Sequence, residues 1–284
     1  MLRRRGLLAA GVAAAGLAGC SPADLLNATV SDADVSETRD VRYAAGDRRS
    51  LDVYRPRSTG GGLPLVVFIY GGGWNAGDKG MYGIVARPLA RRGTVVVVPD
   101  YRLSPQVAYP AFLQDNAAAV AWAFAHAREL GADPARIVLM GHSAGGFNVV
   151  MLGLDPRWLA AAGVDRARLA GVVGLAGPYR FLPSADPDVI PVFGADNTPA
   201  HEPYAFADGR GPPMFLAAGT EDTIVQPRNT TELAARQRER GGQVTAKLYP
   251  GVGHVGLITA FAPVFQGRAP VLDDVMEFVA GVRS

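Results

Sequence analysis

The sequence predicts an α/β protein: a mostly parallel, doubly wound sheet with helices on both faces. Three observations carry that expectation. Short apolar runs rich in β-branched residues recur along the chain, helix-compatible stretches lie between most of them, and the residues able to do chemistry collect where the apolar runs end. Strands alternating with helices in this way point to a parallel sheet covered on both sides.

In chain order, Val41-Arg42-Tyr43 and Leu51-Asp52-Val53-Tyr54 alternate apolar and polar residues around Gly46-Asp47. That is the pattern of an opening antiparallel pair with one buried face. Leu65–Tyr70 and Thr94–Val98 are continuous apolar runs, followed by Ile137–Met140, Leu169–Leu175, Met214–Ala218 and Val244–Tyr249. Runs without alternation suit strands buried on both faces. The expected helices are Met81–Arg92, Phe112–Leu130, Ala144–Leu152, Arg228–Arg240 and Val271–Val282. Pro178–Pro213 breaks the rhythm with Pro, Asp and Gly. So long a connection inside a compact domain is usually functional, so 178–213 is expected to be a lid or substrate-binding insertion in a domain spanning 37–284.

The 284 residues are 49% hydrophobic and 19% charged, enough to bury one sizeable core. Arg3, Arg4 and Arg5 precede an apolar stretch from Leu7 to Ala18, which reads as an export signal over residues 1–20. That stretch is too short to span a bilayer comfortably. Leaving out those three arginines reduces the 28 basic residues to 25 against 26 acidic ones, so the remainder is near neutral and nothing argues for a nucleic-acid partner. The segment ends Leu17-Ala18-Gly19-Cys20, and Cys20 is the only cysteine of the chain. This resembles the lipobox of bacterial lipoproteins, which implies cleavage before Cys20, acylation of its thiol and attachment to the cell-envelope membrane. The alternative is a plain secretory signal, and Arg4-Arg5-Gly6-Leu7-Leu8 also resembles a twin-arginine signal. Acyl chains would hold well, each buried methylene adding about 0.8 kcal/mol. Residues 21–36, rich in Ala, Asp, Ser and Asn, are expected to be a tether.

The chemistry falls at strand ends, where open α/β sheets bind ligands. Tyr70-Gly71-Gly72-Gly73-Trp74 follows the first central strand. Gly141-His142-Ser143-Ala144-Gly145-Gly146 joins a strand to a helix, the context in which Gly-x-Ser-x-Gly lifts a serine hydroxyl clear of the backbone. Gly219-Thr220-Glu221-Asp222 follows Met214–Ala218, and Gly251-Val252-Gly253-His254 follows Val244–Tyr249. Serine, acid and histidine thus come in the order this scaffold requires. Of the other histidines, His126 lies in a helical stretch, His142 in the turn and His201 in the insertion. No cluster has metal-ligand spacing, and no phosphate loop follows the three glycines, so no metal or cofactor is expected.

Together these motifs resemble the α/β-hydrolase esterases and lipases, near the carboxylesterase, feruloyl-esterase-like and kynurenine-formamidase-like branches. Tyr-Gly-Gly-Gly-Trp is similar to that group's His-Gly-Gly-x-Trp, Pro99-Asp100-Tyr101-Arg102-Leu103 to its Asp-Tyr-Arg-Leu segment, and 141–146 to its nucleophile turn. The resemblance covers essentially the whole chain after residue 36 and implies the α/β-hydrolase fold and hydrolysis of a small-molecule carboxylic ester. Ser143 would be the nucleophile, His254 the base and Asp222 its orienting acid, with Glu221 the alternative acid. The backbone N–H groups of Gly72, Gly73 and Ala144 would form the oxyanion hole. Trp74 and Tyr70 are the expected substrate-binding residues. Trp74 would line the acyl or leaving-group pocket or pack on the insertion, and Tyr70 stands where the family has a histidine that braces the loop. Asp100 and Asp115 are expected to position loops. An amidase, formamidase or small peptidase is the alternative activity, because the triad does not separate them. A non-catalytic envelope protein is a further alternative, though no triad member is missing.

Overall fold

The computed structural model describes residues 22–58, 60–195 and 197–283. Residues 1–20, expected to be an export signal, and Cys20 with them therefore lie outside the described residues. Among the latter, no helix is long and apolar enough to cross a membrane.

The described chain opens on a helix, α1 (Pro22–Ala28), where a tether was expected. Asn27 explains the difference. Its Oδ1 accepts from Ile84 N at 2.8 Å, its Nδ2 donates to Gly80 O at 2.9 Å, and its own carbonyl accepts from Arg87 at 3.0 Å. Ile84 sits at the start of α2, so Asn27 satisfies one of the amides a helix N-terminus leaves without an acceptor.

Next come β1 (Val35–Arg42), β2 (Ser50–Pro56), β3 (Leu63–Ile69), α2 (Gly83–Arg91), β4 (Val95–Pro99), α3 (Ala111–His126), β5 (Ala132–His142), α4 (Ala144–Leu154), α5 (Pro156–Ala161), β6 (Gly171–Leu175), α6 (Ile190–Phe193), β7 (Met214–Gly219), α7 (Arg228–Glu239), β8 (Val244–Tyr249), α8 (His254–Thr259) and α9 (Val271–Gly281). The strands form one sheet in the order β1-β2-β4-β3-β5-β6-β7-β8. β2 pairs antiparallel with both β1 and β4, and every later pairing is parallel.

Every residue of β4, β6 and β7 is buried, so both faces of the sheet are covered. α3 packs on α4 and α5, whereas α2 packs on α8 and α9. The edge strand β8 keeps exposed positions at Thr245 and Leu248, as an element with a neighbour on one side can. All eight expected strand regions are present. The short α5, α6 and α8 were not expected, because one or two turns leave too little periodicity to read. Among the described residues of 178–213, α6 is the one α-helix, and the rest runs as loop and 3₁₀ turns.

Candidate active site

Ser143 is the single residue between β5 and α4, at φ 56° and ψ −123°. A non-glycine residue there is strained and persists only where its surroundings over-determine it. Here Ser143 N–H donates to Leu175 O at the end of β6, 2.9 Å away, and Ser143 O accepts from Phe147 N at 3.0 Å. The flanking glycines permit the tight crossing. A Cβ on Gly145 would lie 2.0 Å from Ile69 O, and one on Gly141 would lie 2.2 Å from Gly145 O.

The acid and base meet beside β7 and β8. His254, the first residue of α8, places Nδ1 2.8 Å from Asp222 Oδ2. Asp222 is 3% exposed, and its Oδ1 accepts from Ile224 N at 3.0 Å and Val225 N at 2.8 Å. One carboxylate oxygen thus fixes the turn while the other faces the imidazole. A carboxylate at Nδ1 assigns that nitrogen the proton, leaving the Nε2 lone pair as the ring's basic site. Glu221, the alternative acid, is exposed, and its main chain bonds Val252 O. Ser143 makes no hydrogen bond to His254 among the described residues. In unliganded enzymes such bonds are often long and tighten on substrate.

The glycine loop crosses over the elbow. A Cβ on Gly71 would come within 2.8 Å of Ser143 Cβ. Gly72 adopts φ 125°, and its carbonyl accepts from Asn75 N and Ala76 N at 3.1 and 2.9 Å, closing the loop into a turn. Ala144, the first residue of α4, has an amide with no acceptor within the helix. Gly72, Gly73 and Ala144 therefore belong to two segments that meet at Ser143.

Tyr70 is not placed as a substrate contact. It is fully buried, its ring stacked on Tyr101 and Tyr82 with centroids 4.7 and 5.4 Å away. Its hydroxyl donates to Asp100 Oδ1 at 2.8 Å and accepts from Arg48 at 2.7 Å. Burial pushes the Tyr70 phenol well above its ordinary range and also raises the Asp100 carboxyl. Arg48 in the β1–β2 turn also donates to Gly77 O at 2.6 Å and Tyr101 O at 2.9 Å. The glycine loop is therefore braced from beneath by Tyr70, Asp100 and Arg48. Asp115 likewise holds a loop, accepting from Arg102 N at 3.0 Å and from its guanidinium at 2.8 and 2.9 Å.

Trp74, at φ 60°, is only 5% exposed. Its Nε1 donates to Asn148 Oδ1 at 3.0 Å, and its ring packs on Phe147, Phe193 and Phe181 with centroids 5.2, 5.0 and 6.2 Å away. Phe181 and Phe193 come from the insertion, so Trp74 joins the insertion to the glycine loop. The insertion's main chain is gripped by side-chain oxygens. Asn229 Oδ1 accepts from Tyr179 N and Arg180 N, both at 2.8 Å; Glu202 Oε2 accepts from Phe181 N and Leu182 N, both at 2.7 Å. Asn197 Oδ1 accepts from Ser184 N at 2.6 Å.

His142 is a contact that the sequence reading missed. Its Nε2 is 3.1 Å from the main-chain oxygen of His254, and the two rings are 4.7 Å apart. Burial first, then the neighbouring His254, pulls its pKa down to about 3. Nothing in the sequence signals a partner 112 residues away. Among the described residues, no group of three or more His, Cys, Asp or Glu could hold a metal ion.

The BD-FAE family profile matches residues 51–186, from β2 through the serine turn into the insertion. The chain is 24% identical over 267 residues to a probable isoprenylcysteine alpha-carbonyl methylesterase of Arabidopsis thaliana, covering 86% of this chain and 56% of that protein. It is 42% identical over 111 residues to a carboxylesterase of Mycobacterium tuberculosis, covering 39% of this chain and 35% of that one. The chain thus spans about half the length, or less, of these two curated relatives. Among solved structures, esterase B from Lactobacillus rhamnosis superposes with a TM-score of 0.76 at 23% identity, covering 91% of this chain and 90% of that one. A bacterial heroin esterase gives 0.73 at 24% identity, covering 92% and 88%. These likenesses establish a shared fold.

Proposed function

We propose, from the premise that the chain belongs to the α/β-hydrolase family, that it is a serine hydrolase cleaving carboxylic esters through an acyl-enzyme. The observation that carries this reading is the buried Asp222–His254 pair at 2.8 Å, in a chain whose only residue between β5 and α4 is a strained serine.

A serine hydroxyl is a weak nucleophile until a base takes its proton. His254 Nε2 removes the proton as Ser143 Oγ attacks the ester carbonyl, and Asp222 stabilises the imidazolium that forms. The oxyanion is met by the N–H groups of Gly72, Gly73 and Ala144; each such donor is typically worth about 2.7–4 kcal/mol of barrier. Collapse of the tetrahedral intermediate breaks the C–O bond to the alcohol, which leaves with the proton from His254. Water then attacks the acyl-serine, giving its proton to His254, and the acid departs as Ser143 recovers its hydrogen. The insertion 178–213, with Phe181 and Phe193 beside Trp74, shapes the substrate pocket. The bracing by Tyr70 and Arg48 keeps the donor loop rigid before substrate arrives.

The decisive experiment is labelling with a fluorophosphonate probe. Wild-type protein is expected to react and Ser143→Ala to resist, whereas equal labelling of both would remove Ser143 as nucleophile. A panel of p-nitrophenyl esters set beside N-formylkynurenine separates ester from amide cleavage. We also place the mature protein at the cell envelope, held through acylated Cys20, on the strength of Leu17-Ala18-Gly19-Cys20 behind Arg3-Arg4-Arg5. A palmitate analogue fed to expressing cells should label the protein and spare a Cys20→Ala variant.

A further inference from the structure

We infer that His142 is a positioning residue: its Nε2–H holds the main chain of His254 against the serine turn, setting the distance across which base and nucleophile exchange a proton. The inference rests on the triad reading above. A carbonyl oxygen can only accept, so the 3.1 Å contact from His142 Nε2 to His254 O requires the hydrogen to sit on Nε2. His142 is 5% exposed, and its ring stays neutral throughout the range in which an esterase works.

The placement ties three parts of the site together. His142 directly precedes Ser143 and closes β5. A Cβ on Gly71 of the donor loop would lie 3.4 Å from His142 Nδ1, so the ring also borders that loop. The third partner is His254. Asp222 fixes the rotation of the His254 ring through Nδ1, at 2.8 Å. His142 fixes the main chain that carries the ring. Other bonds secure the segment before His254 to the acid loop: Glu221 N to Val252 O at 3.0 Å and Gly251 N to Thr220 Oγ1 at 3.0 Å. The His142 bond ties the base to the nucleophile's own strand.

An apolar residue would fill this buried space without the cost of desolvating an imidazole. Its polar edge is spent on the base. A misplacement of about 1 Å between reacting groups can cost about 10²-fold in rate.

The test compares His142→Leu, which removes the donor, with His142→Gln, whose side-chain amide can replace it. Expected for His142→Leu is a kcat on p-nitrophenyl acetate about 10- to 100-fold lower, with KM within about twofold of wild type and a folded thermal transition. His142→Gln should recover most of that loss. If His142→Leu is insoluble, His142→Asn, whose amide stops one methylene short, takes its place in the comparison with Gln. A wild-type kcat in the donor-less variant would overturn the inference, as would equal impairment of the Gln and the donor-less variants. Hydrolysis that survives Ser143→Ala would refute the triad itself. An undiminished kcat without His142, in an enzyme still dependent on Ser143, would refute only the role of His142.

Discussion

Tyr70→Phe tests the bracing of the donor loop with the loss of one oxygen. The ring packing on Tyr82 and Tyr101 is kept, and what disappears is the hydroxyl between Asp100 Oδ1 at 2.8 Å and Arg48 at 2.7 Å. Asp100 would retain Lys79 N at 2.9 Å and the Arg48 guanidinium at 3.5 Å. Hydrogen bonds to charged groups contribute about 1.5–3 kcal/mol, and an acceptor left short of partners when buried costs more than one in water. Arg48 is a third exposed, so solvent screens part of its share. The expected loss is about 2–3 kcal/mol. For a domain of this size that is a fall in Tm of roughly 4–12 °C. The loop that the bond supports carries Gly72 and Gly73, so kcat should also fall, by less than the about 10²-fold that removal of a whole donor costs.

Urea unfolding followed by circular dichroism measures the first quantity, and ester turnover the second. The bond favours the charged form of Asp100 and opposes the upward push of burial. Its stabilisation is therefore present above the titration of Asp100 and is lost as the pH falls through it. The gap in stability between wild type and Tyr70→Phe should shrink on acidification. Combining Tyr70→Phe with Asp100→Asn isolates the pair. A Tyr70→Phe protein as stable as wild type at pH 8, or an effect unchanged in the Asp100→Asn background, would refute the reasoning.

Three further outcomes are expected. Asp222→Asn should keep the fold but present the wrong imidazole tautomer, lowering kcat by about 10⁴-fold in steady-state assays. Gly145→Ala would place a methyl 2.0 Å from Ile69 O, so the protein is expected to be insoluble or lost on size exclusion. Buried His142 titrates near 3, against about 6.5 in the unfolded chain. The unfolded state therefore binds the extra proton between those values, and stability contributed by this residue is lost as pH falls through that window. From pH 8 to pH 5 the loss amounts to about 2 kcal/mol. Urea titrations of His142→Gln at both pH values should lack it.

The sheet was legible because its strands are buried on both faces, which leaves apolar runs such as Val95–Val98 that no helix or loop explains as well. The positions of Ser143, Asp222 and His254 were legible because each comes just past a strand end, a place given by counting along the chain. What was not legible depends on contacts between distant positions. Arg48 lies in a polar turn that reads as solvent-exposed, yet it bonds residues 22, 29 and 53 positions away. For Tyr70 the sequence offers both a substrate contact and a brace in place of the family histidine, and nothing local decides between them, because its partner Asp100 lies 30 positions away. Helix α5 carries a local signal in spite of its six residues: Asp155 caps it by accepting from Arg157 N at 3.1 Å, and Pro156 fills its first position.

The grip on the insertion has a consequence for how the site can change. Five consecutive or nearly consecutive amides, from Tyr179 to Ser184, are held by carboxamide and carboxylate oxygens of Asn229, Glu202 and Asn197. These oxygens recognise peptide N–H groups, which every residue but proline supplies. The side chain at the exposed position 180 can therefore be exchanged while the loop keeps its course, whereas Phe181 is also held by its packing on Trp74 and Phe193. Glu202, Asn197 and Asn229 act as a socket for the main chain of this loop, whichever side chains it carries. On the proposed role of 178–213, a substitution at position 180 would alter the loop's surface without disturbing the sheet that carries Ser143.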